Sequence, residues 1–391
     1  MGLGRKIRYG MVGGGPGAFI GAVHRQAAAL DGEIELVAGC FSSSPEKSQA
    51  QGRALFLDPK RVYNSYQEMA EKEAQLPPGE RIDFVAIVTP NNSHFPIAKT
   101  FIEAGFHVVC DKPMTTTIEE AEELCRLVQK HDVVFALTHN YTGYPMVKEA
   151  RELVRSGKLG EIRKIVVEYP QGWLSKYIEN ESKQASWRTD PAQAGVSSCI
   201  GDIGSHAENL AHYITGLEMT EICADLTTFV PGRQLEDDGN ILVRYENGAR
   251  GILYASQISI GEENNLRIRV YGTEASLEWR QEYPTDLWVR YGDRPAELLR
   301  MGNPYLSDRA KHFTRLPAGH PEAFIEAFAN IYRSAARTIA AKIAGETPHP
   351  LDTDFPTVYD GARGVHFIHK AVESGKSDAK WVDVRYTPPG A

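Results

Sequence analysis

The stretch Cys110-Asp111-Lys112-Pro113-Met114 sets a lysine between an acid and a proline at the end of an apolar run, 106–110. A primary ammonium at such a point can hydrogen-bond a reacting oxygen and stabilise charge that develops on it. Far downstream, Gly201-Asp202-Ile203-Gly204-Ser205-His206 spaces a carboxylate and an imidazole four residues apart. If a helix begins at or before Asp202, both side chains share one face. An imidazole titrates near neutrality and suits the removal of a hydroxyl proton. A structural reading competes with this one: Ser205-x-x-Glu208 spells a capping box, which would leave Asp202 as a turn residue. A metal site with His212 as third ligand is disfavoured because the ligand set is incomplete, so no metal is expected.

A third cluster, Gly13-Gly14-Gly15-Pro16-Gly17-Ala18, fits G-x-G-x-x-A directly after a short apolar strand and ahead of a small-residue helix that runs through Ala29. Glycines there permit a tight turn and close approach of a pyrophosphate at a helix N-terminus. The residue that reads the adenosine ribose should close the second strand. That position reads Gly39-Cys40-Phe41-Ser42-Ser43-Ser44, without an acid or an arginine. Ser42 and Ser43 can serve a 2′-hydroxyl, which favours NAD, while nearby Lys47 leaves NADP open. Thr89-Pro90-Asn91-Asn92-Ser93-His94 follows the apolar strand 84–88. Ligands of doubly wound sheets lie at the carboxyl ends of strands, so this loop, the glycine turn and Lys112 should face one crevice.

The elements that must position these groups follow from periodicity. Up to about residue 139, short runs apolar on both faces alternate with helical patterns, which predicts a doubly wound parallel sheet. Beyond residue 140 the strands are longer and alternate in polarity, as in 162–169, 222–229, 241–245, 251–257, 266–271 and 287–291, with Asn247-Gly248 as a hairpin turn. The expectation is a nucleotide-binding domain over 1–139 and an α+β domain over 140–391 with a large open, mostly antiparallel sheet. Helices are expected near 205–215, 321–344 and 355–373, and a long loop over 293–319. Along the sheet, Ile241, Val243 and Tyr245 alternate with Leu242, Arg244 and Glu246. One face should carry helices, and the mixed other face has enough apolar content to meet another sheet.

The chain's 391 residues carry a net charge of −8, the wrong sign for a dedicated nucleic-acid binder. No apolar run approaches membrane-spanning length and no signal-peptide core is recognisable, so a cytoplasmic protein is expected. Five cysteines at irregular spacing fit reduced thiols.

In this order, the glycine turn, Thr89–His94, the lysine–proline turn and Asp202-x-x-x-His206 resemble the Gfo/Idh/MocA oxidoreductase family over essentially the whole chain. The family's turn is usually Glu-Lys-Pro, and here it is Asp111-Lys112-Pro113. The resemblance implies an NAD(P)-dependent dehydrogenase acting on a secondary hydroxyl of a cyclic polyol or sugar. Lys112 would lie near substrate and nicotinamide, with Asp202 and His206 on the substrate side and His206 as general base. Thr89, Pro90, Asn91, His94 and Asp111 would line the cofactor site together with Gly13, Gly15, Pro16, Gly17, Ala18 and Phe19. Trp187-Arg188 is similar to a substrate-contacting segment. His320, in Gly319-His320-Pro321, is similar to a histidine of the branch containing scyllo-inositol and levoglucosan dehydrogenases. Homodimers or homotetramers packed through the second sheet would follow. Two alternatives remain: a redox-assisted glycoside hydrolase that uses NAD transiently, and a non-catalytic nucleotide-binding sensor.

Overall fold

The computed structural model describes residues 3–391. Its first half alternates strand and helix: β1 (Ile7–Gly13), α1 (Phe19–Ala29), β2 (Ile34–Cys40), α2 (Pro45–Ala54), α3 (Tyr66–Gln75), β3 (Phe84–Val88), α4 (His94–Glu103), β4 (His107–Cys110), α5 (Ile118–His131) and β5 (Phe135–Leu137). The strands form a parallel five-stranded sheet in the order β2-β1-β3-β4-β5. Strand order reverses between β1 and β3, the switch point at which such sheets bind ligands. Every residue of β3 and β4 is buried, which explains why their sequences read as continuous apolar runs.

The second half continues with α6 (Pro145–Arg155), β6 (Ile162–Pro170), α7 (Lys183–Arg188), α8 (Pro191–Ala194), α9 (Ser205–Thr215), β7 (Met219–Thr227), β8 (Asp238–Tyr245) and β9 (Arg250–Ser256). It closes with β10 (Arg267–Gly272), β11 (Ala275–Arg280), β12 (Asp286–Tyr291), β13 (Glu297–Arg300), α10 (Asp308–His312), α11 (Phe324–Ala344), α12 (Val358–Lys376) and β14 (Trp381–Asp383). Nine strands pair in the order β13-β12-β11-β10-β6-β9-β8-β7-β14. Only β6 and β9 pair in parallel, so the expected mostly antiparallel sheet is present. The expected loop over 293–319 instead holds β13 and α10, because Leu298 and Leu299 extend the β12 ladder and Ser307 caps a short helix.

Alternation along β8 decides which face is inside. Ile241, Val243 and Tyr245 lie in a core shared with residues of α6 and α9, each large apolar side chain contributing about 1.5–3 kcal/mol of burial. Leu242 points outward at 49% exposure, paired with the outward Ile252 of β9.

A cut at 139/140 separates the two sheets but not the packing units. Phe328, Ile331, Tyr332 and Ile339 of α11 share a core with β1 and α1, and Val358, Ala362 and Val365 of α12 share one with β4 and α5. Across this junction His24 Nδ1 lies 2.7 Å from Tyr332 Oη, and Arg315 forms a bidentate pair with Asp31. The crevice between the sheets is therefore walled by elements from both halves of the chain.

Candidate active site

The glycine turn leaves β1 at the switch point. Gly13 has φ 90°, a conformation that favours glycine, and a Cβ there would stand 2.6 Å from the Val88 carbonyl and 2.8 Å from Thr89 Cγ2. A Cβ on Gly15 would stand 2.6 Å from the Phe41 carbonyl. The turn is thus pressed between the ends of β2 and β3, beside Ser42 and Thr89. α1 opens on Ala18, which has no capping side chain, whereas Ser44, Ser65 and Thr117 cap α2, α3 and α5. The N–H groups of the first turn of α1 stay available to an anion. Bare backbone and an uncapped helix start fit a dinucleotide's pyrophosphate, with Pro16 and Gly17 inside the turn and Phe19 exposed at its exit.

At the end of β2, Ser42 Oγ accepts from the Ser44 N–H, so it stiffens the loop, and Ser43 stands beside it. At the end of β3, Thr89 Oγ1 accepts from Ser93, and Pro90 starts the turn. His94 is fully buried, and its two ring nitrogens lie 2.8 Å from the carbonyls of Thr89 and Pro113. It ties the Thr89 loop to the lysine turn. Asn91 donates to the Ala194 carbonyl at 3.1 Å and anchors the loop to the second domain.

Asp111 closes β4 and accepts from the Lys112 N–H and from Thr138 Oγ1. The Lys112–Pro113 peptide is cis. Lys112 Nζ reaches across to Asp202, donating to its backbone carbonyl and to Oδ1 at 2.8 Å. Asp202 Oδ2 accepts from Arg188 Nε at 3.2 Å and from Gln257 Nε2 at 2.9 Å. Burial opposes ionisation of Asp202, but Lys112 and Arg188 outweigh it and hold the carboxyl well below the usual carboxylate range. Trp187 packs on the Arg188 guanidinium, 4.2 Å from its ring centre, and supports that arginine.

Asp202 and His206 are joined by a π-helical turn, Ile200–Gly204, in which the Ser205 N–H reaches back five residues to Ile200. The capping box does not form, since Ser205 Oγ donates to Gly201 instead. Asp202 accepts from Lys112, Arg188 and Gln257 and makes no hydrogen bond to His206. The partner of His206 is His139, with the two Nδ1 atoms 3.3 Å apart and the rings edge-on. Tyr141 packs against His206 at 4.7 Å between ring centres. Burial, together with the charge of Lys112 and with His139, pushes His206 well below the ordinary histidine value.

A cleft of about 380 Å³ runs from Phe19 past Asp111 and Lys112 to His206 and Arg188, with Asp202 and Trp187 behind Lys112 and Arg188 and outside its lining. Its far wall is Tyr141, Tyr169 and Asn264, linked by Tyr169 Oη to Asn264 Oδ1 at 2.7 Å and Asn264 Nδ2 to Tyr141 Oη at 3.1 Å. Phe324 and Phe328 supply an apolar flank. His320 does not line this cleft; it is exposed, with Nδ1 3.2 Å from the Pro317 carbonyl. Sequence reasoning missed His139, Tyr141 and Asn140. Their signal was position, since they follow β5 at the same sheet edge as Lys112. Tyr169, Asn264 and Gln257 had no such signal.

The decisive comparison is with known sequences. An oxidoreductase-family NAD-binding Rossmann profile matches residues 7–170, and a Gfo/Idh/MocA C-terminal domain profile matches 147–278. The uncharacterized oxidoreductase YfiI of Bacillus subtilis is 34% identical over 98% of both chains. The chain belongs to the Gfo/Idh/MocA family. Among solved structures, an oxidoreductase from Sinorhizobium meliloti is 46% identical, with a TM-score of 0.87 over 97% of this chain and 99% of its own. An inositol dehydrogenase homolog from Azotobacter vinelandii, complexed with NADH and myo-inositol, is 34% identical, with a TM-score of 0.90 over 97% and 98%. This Gfo/Idh/MocA protein is an NAD-binding oxidoreductase with a Rossmann domain at its start. None of its helices, among the described residues, is long and apolar enough to cross a membrane.

Proposed function

We propose that this oxidoreductase oxidises a secondary hydroxyl of a cyclic polyol or sugar, with His206 as base and Lys112 and Asp202 assisting. The observation that carries the reading is the convergence of Lys112, Arg188 and His206 in one cleft beside the uncapped start of α1, with Asp202 paired to both Lys112 and Arg188. Bound nicotinamide would accept the hydride from the carbinol carbon. His206 Nε2 takes the hydroxyl proton, and its neutral form suits that task because burial disfavours the imidazolium. Lys112 Nζ donates to the same oxygen as negative charge grows on it. Asp202 and Arg188 hold a neighbouring hydroxyl, and the polar wall of Tyr141, Tyr169 and Asn264 offers donors and acceptors to the rest of a hydroxylated ring. The relative complexed with NADH and myo-inositol supports this substrate class.

The same proposal covers assembly. The outer face of the second sheet, with Leu242, Ile252 and Trp288 among ion pairs such as Arg269–Glu168, joins copies of the chain into a homodimer or homotetramer.

A panel of inositols, pyranoses and anhydrosugars, assayed for NADH and NADPH formation with wild type and Lys112→Ala, tests the activity. Formation of NADH with at least one cyclic polyol or sugar, lost in the variant, is expected. Glycoside cleavage without net NADH would replace this reading with redox-assisted hydrolysis.

A further inference from the structure

His206 makes its only side-chain hydrogen bond away from the cleft, to a second histidine. His139 is 2% exposed and follows β5, and its Nδ1 lies 3.3 Å from His206 Nδ1. Only one of these two nitrogens can carry the shared proton. If His206 Nε2 is to take a proton from substrate, its own hydrogen sits on Nδ1. His139 Nδ1 then accepts, and the hydrogen of His139 sits on Nε2. That Nε2 faces away from the cleft, toward α12, where residue 364 is glycine. A Cβ at Gly364 would lie 3.9 Å from His139 Nε2 and 4.0 Å from Glu208 Oε2, and outside its own helical turn it would meet no other atom within 4 Å. Glu208 is 2% exposed, and its Oε2 is buried without a hydrogen-bond partner. Beyond Glu208 lies a second, separate cleft lined by His212, Glu218 and Arg363, with the Glu218 side chain 43% exposed.

We infer that His139 and Glu208 form a proton exit from His206, leading away from the substrate cleft, through the space beside Gly364, to the opposite surface. The inference rests on the proposed role of His206 as base. In oxidation, the substrate O–H bond breaks as N–H forms at His206 Nε2. The Nδ1–H bond of His206 breaks as N–H forms at His139 Nδ1. The Nε2–H bond of His139 breaks as O–H forms on a water molecule in the space beside Gly364, which gives up one of its own protons to the Glu208 carboxylate, and the proton leaves by the second cleft. The electron pair of the carbinol C–H leaves with the hydride to the nicotinamide, so each turnover releases one proton.

The surroundings suit transfer rather than storage. His139 faces Lys112, Asp360 and Asp111, and burial together with Lys112 lowers it to about 3, so it passes a proton on without holding it. His206 faces Lys112, His139, Tyr141 and Tyr169. Glu208 faces Arg363, Asp360 and Glu218, and burial raises it to about 8 against the pull of Arg363, so it takes up and gives up a proton near neutrality. A packing role alone would explain the edge-on histidines, but not an unpartnered carboxyl oxygen beside a glycine on the far side of the pair.

The test uses the full chain with NAD and its best substrate from the panel above. His139→Phe removes both ring nitrogens at similar volume. His139→Asn restores a partner for His206 Nδ1 but cannot relay. Glu208→Gln removes the acid. Gly364→Ala puts a methyl between the two groups at ordinary contact distances. Turnover, KM, NAD affinity, the pH profile of kcat/KM and the solvent deuterium isotope effect are measured, with His206→Ala as control. His139→Phe should lower kcat by about 10–100-fold and move the acid limb, with KM and NAD affinity within about twofold. His139→Asn should restore the acid limb but not kcat. Glu208→Gln and Gly364→Ala should lower kcat by about 3–10-fold and enlarge the isotope effect. Unchanged kcat and isotope effect in Gly364→Ala and Glu208→Gln, with His206→Ala crippled, overturns the exit and leaves the base in place. These two variants decide the matter if His139→Phe does not fold. Normal turnover in His206→Ala would overturn the base itself.

Discussion

Lys112 Nζ stands 2.8 Å from Asp202 Oδ1, an ion pair that joins residues 90 apart in sequence and links the end of β4 to the turn ahead of α9. The lysine is 12% and the aspartate 16% exposed, so the pair is shielded from salt but open to a ligand.

Removing that ammonium should separate chemistry from cofactor binding. Lys112→Ala is expected to lower kcat by about 10²–10³-fold, the cost of losing one donor to a developing oxyanion. NAD affinity, measured by titration calorimetry, should stay within about threefold, because the pyrophosphate turn lies elsewhere. Loss of NAD binding in parallel with turnover would reassign the lysine to the cofactor.

The pH profile reports the base. Burial and Lys112 hold His206 well below its ordinary value of about 6.5, and oxidation needs the unprotonated ring. The acid limb of kcat/KM should therefore lie below pH 6.5, with a plateau at neutrality. His206→Ala should abolish that limb and lower turnover by about 10²–10⁴-fold. An unaltered limb in this variant would assign the base to another group.

Asp202 makes a prediction about acid stability. Its folded carboxyl titrates below its unfolded value of about 3.9. As pH falls, the unfolded chain binds the proton first. The stabilisation is thus fully present above the unfolded value and lost as pH drops through the window beneath it. Asp202→Asn should cost about 1–3 kcal/mol at pH 7, and the difference from wild type should shrink as pH approaches 3. Urea melts across that range read the outcome, and a pH-independent difference would refute the ionic account.

Cofactor choice follows from the end of β2. Ser42 is engaged with the Ser44 N–H, and no arginine stands in the segment 39–44 to clamp a 2′-phosphate. NAD should bind more tightly than NADP. Calorimetry showing NADP tighter by about tenfold or more would point to Lys47 as a phosphate ligand.

The proposed assembly would rest on the outward Leu242 and Ile252, cross-strand neighbours at 49% and 37% exposure. Light scattering at micromolar concentration should give a dimer or tetramer, and Leu242→Glu should dissociate it by burying a charge in the interface. A monomeric wild type would remove this interface.

Local patterns were enough for the scaffold. Fully buried parallel strands leave continuous apolar runs, so β3 and β4 were legible as written. The glycine turn was legible because only bare backbone fits against Val88 and Phe41. Lys112 could be assigned to the crevice because the carboxyl end of a strand in a doubly wound sheet has a fixed address. The four-residue spacing of Asp202 and His206 did not disclose the turn that joins them. A π turn needs no sequence marker of its own, and it turned the carboxylate toward Lys112 and left the imidazole to His139.

The rest of the site was decided in three dimensions. Tyr169 lies on β6, Gln257 follows β9 and Asn264 precedes β10, and each reads locally as an ordinary sheet or loop residue. They meet at the cleft because β6 pairs with both β9 and β10, a register set by long-range burial rather than by any nearby signal. Likewise, nothing beside Glu208 or Gly364 hints that α9 and α12 bring a lone carboxyl oxygen and a bare Cα together behind His139. The sequence by itself determined the sheet edge that presents Lys112. The tertiary structure alone chose the partners, because a buried polar group takes whatever packing brings within reach.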